Sequence, residues 1–138
     1  MNSDCIFCKI ISGGIPSDKI YEDDAVLAFM DIRPVSRGHT LVVPKTHTDD
    51  FLSTDDQTLS DLIPKIKKIA HVVMQAVGAQ GMNISTNHGE AAGQVVMHLH
   101  FHLIPRFSND ELKPWPHQEL DPKIRAEIAE RIKSRLNE

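Results

Sequence analysis

Residues 94–106 read Gln-Val-Val-Met-His-Leu-His-Phe-His-Leu-Ile-Pro-Arg, with His98, His100 and His102 at alternate positions. A β-strand repeats every two residues, so alternate side chains share a face. The intervening Val95, Met97, Leu99, Phe101 and Leu103 are apolar. One face of such a strand buries in a core while the other presents three imidazoles, the outer Cα atoms about 13 Å apart. Imidazole changes charge near neutral pH and can act as base, nucleophile or metal ligand. The row is therefore read as a reaction centre or a metal site rather than a solvated strand face.

The segment before it, Asn87-His88-Gly89-Glu90-Ala91-Ala92-Gly93-Gln94, is a small polar loop. Glycines let a ligand approach the backbone and let amide N–H groups converge on an anion. Asn87 and Gln94 add neutral donors. An amide-lined loop beside imidazoles suits a phosphate, with oriented dipoles holding the developing charge and a histidine as nucleophile or base.

The elements that must position these groups follow from the pattern. A short helix is expected over 5–12, capped by Asp4 and ended by Gly13-Gly14. Strands are expected at 20–21, 25–30 (apolar on both faces), 39–43, 82–86 and through the histidine row. Leu59, Leu62, Ile63, Ile66, Ile69, Ala70, Val73 and Val77 form one helical stripe over 57–77, with Thr54 or Asp55 as cap, Gly78 as stop and a kink or break at Pro64. Asp121-Pro122 starts a last helix, 121–136, with the narrow stripe Ile124, Ile128, Ile132 and Leu136. Short turns between sequential strands predict an α+β fold, an antiparallel sheet with helices on one side.

The 138 residues, 41% hydrophobic and 25% charged, suit one ordinary domain. The net charge of −4 argues against non-specific nucleic-acid binding. No apolar run is long enough to span a bilayer, and residues 1–4 lack a secretory start, so the chain reads as cytoplasmic. Cys5 and Cys8 make no disulfide framework. They are read as buried apolar residues, a redox pair, or half of a structural zinc site.

Taken together, Gly93–Arg106 resembles the signature of the histidine triad (HIT) family. Cys5–Ile11, Tyr21–Asp24, Ala28–Pro34 and Gly38–His47 resemble it in the same order, so the likeness covers residues 4–106, followed by a C-terminal extension carrying the helix 121–136. It is closest to the bacterial, Hint-like branch. The resemblance implies a homodimer that joins two five-stranded sheets, and hydrolysis or transfer at the α-phosphorus of purine nucleotides such as adenosine phosphoramidates or adenylates, with adenosine monophosphate as product. It implies that His100 is the nucleophile, that His102 contacts the phosphate or leaving group, and that His39 packs behind them. It implies that Asn87, Gly93 and Gln94 neighbour phosphate and ribose, that Asp31 accepts from the ribose, and that Ile32 and Phe29 hold the base. Val95 stands where eukaryotic members of this branch often have a hydroxyl residue, so one phosphate donor is missing. No organic cofactor is implied. Members with this cysteine pair hold zinc with the histidines matching His47 and His98. That would make Cys5, Cys8, His47 and His98 a closed structural site, and His98 a support for the nucleophile rather than a reacting group. Three rivals stay open: a metallohydrolase using the triplet as ligands, a dinucleoside polyphosphate hydrolase, and a non-enzymatic nucleotide-binding or scaffold protein. Trp115 packs in the tail or lies near a partner's pocket.

Overall fold

Residues 26–30, Val-Leu-Ala-Phe-Met, offer no polar face, and the strand they form is buried on both sides. The computed structural model describes residues 2–138. Its elements in order are α1 (Ile6–Ile11), β1 (Lys19–Glu22), β2 (Val26–Met30), β3 (Thr40–Pro44), α2 (Asp56–Val77), β4 (Gly81–Ser85), a 3-10 turn (Glu90–Ala92), β5 (Phe101–Arg106) and α3 (Pro122–Leu136). The five strands make one antiparallel sheet in the order β1-β2-β3-β5-β4.

Both faces of the sheet are covered, which corrects the expectation of helices on one side. Val26, Ala28, Val42, Phe101 and Leu103 pack with Leu62, Ile66, Ile69 and Val73 of α2. Their neighbours Leu27, Phe29, Leu41 and Val43 pack on the other face with Phe7, Cys8 and Ile10 of α1. The two-residue period of a strand thus divides one apolar sequence between two cores.

The helix ends follow their capping chemistry. Asp55 accepts the Thr58 N–H at 2.6 Å, and Gly78 closes α2 at φ 68°. α2 continues through Pro64 without the local break allowed for there, and Pro64 lies on its exposed side. Ile63, assigned to the buried stripe, is on that exposed side too. The cap of α1 is Cys5 rather than Asp4: its sulfur lies 3.4 Å from the Cys8 N–H, the place a capping hydroxyl takes.

The histidine row is not one strand. β5 begins only at Phe101, and residues 96–98 form a bend. The Leu99 N–H donates to the Thr48 carbonyl at 2.7 Å instead of entering the sheet. Val95 and Met97, expected in the core, are exposed as a result. The imidazoles take the buried side: His98 and His100 are 0% and 7% exposed.

α3 starts as expected, with Asp121 capping and Pro122 in the first turn, but none of its residues is buried. Trp115 is 83% exposed, so the expected tail packing is not formed. No helix among the described residues is long and apolar enough to cross a membrane.

One glycine sets the approach to the site. Gly38 has φ 93°, and a Cβ there would meet Val77 Cγ1 at 2.9 Å and Pro105 Cγ at 3.1 Å. Gly38→Ala is expected to lower the unfolding free energy by about 1–3 kcal/mol, from left-handed backbone strain alone, and by more if Val77 cannot give way. Urea denaturation measures it, and an unchanged midpoint would contradict the packing described.

Candidate active site

Hydrogen-bond bookkeeping assigns the proton on each buried imidazole. A backbone carbonyl only accepts and a backbone N–H only donates, so a ring nitrogen facing either has its role fixed. His100 Nδ1 lies 2.7 Å from the His98 carbonyl oxygen. It must carry the proton, which leaves His100 Nε2 with a free lone pair. His39 Nδ1 accepts the Val35 N–H at 3.0 Å, so the proton of neutral His39 is on Nε2. That Nε2 lies 3.0 Å from His102 Nδ1 and 3.6 Å from Asp31 Oδ2. His102 Nδ1 is therefore the acceptor, and its Nε2 bears the hydrogen. The result is a lone pair on His100 beside a donor on His102, with ring centroids 5.1 Å apart.

Burial keeps these rings neutral. It holds His39 and His100 below the ordinary histidine value, and lowers His102 to about 4, where repulsion between its protonated ring and those of His100 and His39 would add to the effect. Phe7 supplies part of the dry surface, meeting the His100 ring edge-to-face at 5.0 Å.

His39, His100 and His102 line a cavity of about 510 Å³, a size that suits a nucleotide-sized ligand. Asp31, Ile32, Asn87, Gly93 and Val95 share that lining, and so does Phe29 among an apolar set that includes Phe7, Ile10 and Leu41. The structure thus gathers almost every residue assigned to nucleotide binding. Ile32 and Val95 are each 88% exposed and stand at the rim. Ile6, Ile10, Ile15 and Val35 also line the cavity and were not singled out from sequence. They carried only the apolar pattern of an ordinary core. Gln94 is the exception. It is 3% exposed and absent from the lining. Its amide is taken by the backbone of Gly89, Asp49 and Val96, so it presents no donor to the cavity.

His98 faces away from this cavity toward the cysteines. Its Nε2–H donates to the Pro44 carbonyl at 2.8 Å, leaving Nδ1 bare at 3.4 Å from Cys5 Sγ and 3.5 Å from Cys8 Sγ. His47 repeats the arrangement: Nε2–H donates to Asp49 Oδ1 at 3.0 Å, and Nδ1 lies 3.4 Å from Cys8 Sγ. Both lone pairs thus point at the sulfurs, and all four donor atoms lie within 4.8 Å of one another. A tetrahedral ion with bonds of about 2.3 Å to sulfur and 2.05 Å to nitrogen would set S···N near 3.6 Å. The donor set fits such an ion, with Pro44 and Asp49 in the outer shell that orients metal-binding histidines. Asp31, His39 and His102 also lie close enough to share an ion. There, however, the His39 Nε2 proton already occupies the shared space, and Val35 fixes it in place.

The HIT domain family model matches residues 12–109. The chain belongs to the HIT family. The adenosine 5'-monophosphoramidase hnt1 of Schizosaccharomyces pombe is 38% identical over 135 residues, covering 96% of this chain and 98% of that one. The crystal structure of a Streptococcus mutans protein superposes with a TM-score of 0.91 at 43% identity, covering 99% of this chain and 87% of that chain. A zinc-bound histidine triad family protein from Mycobacterium smegmatis superposes with a TM-score of 0.75 at 39% identity, covering 94% and 96%. In this HIT chain the triad is divided: His98 serves the cysteine cluster, while His100 and His102 serve the cavity.

Titration of the buried histidines gives a stability signature. His39, His98, His100 and His102 all sit below 6.5 in the folded chain. The unfolded chain therefore binds protons as pH falls through 6.5 while the native state does not, and stability declines from there. For His102 the loss levels off below about 4. Denaturant melts in the presence of a chelator should show unfolding free energy already falling between pH 6.5 and about 5.5, above the main titration of unfolded carboxylates. A flat profile across that window would contradict neutral, buried imidazoles.

Proposed function

We propose that this HIT protein hydrolyses, or transfers, at the α-phosphorus of purine nucleotides through a covalent nucleotidyl-His100 intermediate. The observation that carries the reading is the bare Nε2 of His100, fixed by the Nδ1–H bond to the His98 carbonyl and lying beside the His102 donor in a nucleotide-sized cavity. Likeness to an adenosine phosphoramidase over nearly the whole chain supports adenosine 5'-phosphoramidates as the substrate class.

In the first step His100 Nε2 forms a bond to phosphorus and the bond to the leaving group breaks. His100 is then an imidazolium, its charge held by the Nδ1–H bond to the His98 carbonyl. The His102 Nε2–H donates to a phosphate or leaving-group atom, and the leaving group departs with a proton from solvent. In the second step water bonds to phosphorus, the P–Nε2 bond breaks, and the water proton returns to solvent. Nucleoside monophosphate is released and His100 is neutral again. The oriented amides of the 87–93 loop and Asn87 hold the phosphate charge, Asp31 accepts from the ribose, and Ile32 and Phe29 hold the base. Cys5, Cys8, His47 and His98 would hold a zinc ion, which would supply structural support and no open position for chemistry.

Adenosine 5'-phosphoramidate turnover by the parent protein and by His100→Ala tests the reading. Turnover should fall by roughly four orders of magnitude or more in the variant, the scale of losing a nucleophile. An alkaline denaturing quench of the parent, which spares the acid-labile P–N bond, should trap a nucleotidyl adduct on the peptide carrying His100. Equal turnover by both proteins would overturn it.

The same reading includes a homodimer joined through β4. That strand is a sheet edge with Ile84 exposed, and an open edge of this kind invites pairing. Beside it, Ile63, Ala70, Met74 and Met82 line an apolar groove of about 390 Å³. Light scattering should give twice the chain mass for the parent and the chain mass for Ile84→Arg. A monomeric parent would rule out this assembly.

A further inference from the structure

We propose that Gln94 is a positioning residue that ties the glycine loop to the segment carrying His47, so that the cysteine-histidine cluster and the cavity are held as one unit. Its role in catalysis rests on the nucleotide reading above, but the tie itself does not. A side-chain amide has two N–H donors and one carbonyl oxygen. In Gln94, Oε1 accepts the Gly89 N–H at 2.9 Å, and Nε2 donates to the Asp49 carbonyl at 2.7 Å and the Val96 carbonyl at 3.1 Å. Both N–H groups are used, and the side chain is buried away from the cavity.

The three bonds join three pieces of chain with different tasks. Gly89 belongs to the loop whose other glycine, Gly93, lines the cavity at φ 95°. Val96 opens the bend that leads to His98 and His100. Asp49 is held at its main chain by Gln94 while its carboxylate holds His47 Nε2–H. Successive residues repeat the clamp. The Thr48 carbonyl accepts the Leu99 N–H at 2.7 Å, and Asp50 Oδ1 lies 3.2 Å from His88 Nδ1. Residues 48–50 thus grip residues 88–99 at three points, and the Gln94 contact is the point where a side chain reaches both the loop and the metal-facing segment.

The test uses the full chain as Gln94→Ala and Gln94→Glu. Zinc affinity is read without nucleotide by competition with a chromophoric chelator. Amide exchange of Gly89 is read by NMR, with Val42 as a core control. Zinc affinity should fall about 10–100-fold in both variants, the scale of losing outer-shell support. Gly89 exchange should rise at least about tenfold in Gln94→Ala but not in Gln94→Glu, which keeps the acceptor. Val42 exchange should stay unchanged, separating a local opening from unfolding. For an adenosine phosphoramidate, kcat should fall in both variants, with KM rising less. Unchanged zinc affinity and Gly89 exchange, with only KM raised, would make Gln94 a substrate donor and overturn the proposal. Absence of turnover in the parent would count against the nucleotide reading alone, because affinity and exchange still decide the role of Gln94.

Discussion

The short bond from His100 Nδ1–H to the His98 carbonyl is the constraint on which the site depends. It joins residues two apart in sequence, between the 96–98 bend and the start of β5. It decides which nitrogen of His100 carries the proton and leaves the other able to attack. It also gives a positive charge formed on the ring an oxygen to rest against. The bond holds only while the His98 carbonyl stays where it is, and the His98 side chain is held on every side: fully buried, bonded to Pro44 at the end of β3, and facing the two sulfurs. Local fold and chemistry meet in one residue.

A second chain of assignment reaches the cavity from the other side. The Val35 N–H fixes His39, His39 fixes His102, and His102 ends as a donor. Two backbone groups therefore set the protonation pattern of three rings without any charged side chain in contact at hydrogen-bond distance. Burial reinforces this by keeping each ring neutral near pH 7. The left-handed turn at Gly38, closely packed against Val77 and Pro105, brings His39 into place from the end of the loop.

Much of this was legible in sequence because it rests on period and composition. The apolar run at 26–30 and the helical stripe of α2 with its Asp55 and Gly78 ends correspond to observed elements, whereas the grouping of Cys5 and Cys8 with His47 and His98 was implied only by the family resemblance and corresponds to an observed cluster. Around the site, what failed did so for a common reason: tertiary hydrogen bonds overrode local pattern. Strict alternation from Val95 to Leu103 predicts one strand, yet the Thr48 carbonyl draws Leu99 out of the sheet. The same displacement turns Val95 and Met97 outward and His98 inward. Gln94 matches a ligand neighbour by position, but the backbone consumes its amide. Nothing in the sequence distinguishes a glutamine that faces a ligand from one that holds a loop. The second core, under α1, was missed because a six-residue helix carries too few positions to declare a buried face.

The most direct test of the account is the protonation state of each ring nitrogen in the nucleotide-free protein. Long-range proton–nitrogen correlation NMR on labelled protein near neutral pH distinguishes the two neutral tautomers of histidine. The account predicts neutral rings throughout the site, with the proton of His100 on Nδ1 and those of His39 and His102 on Nε2. A proton on His100 Nε2, or a charged His100, would remove the attacking lone pair and contradict the account at its centre.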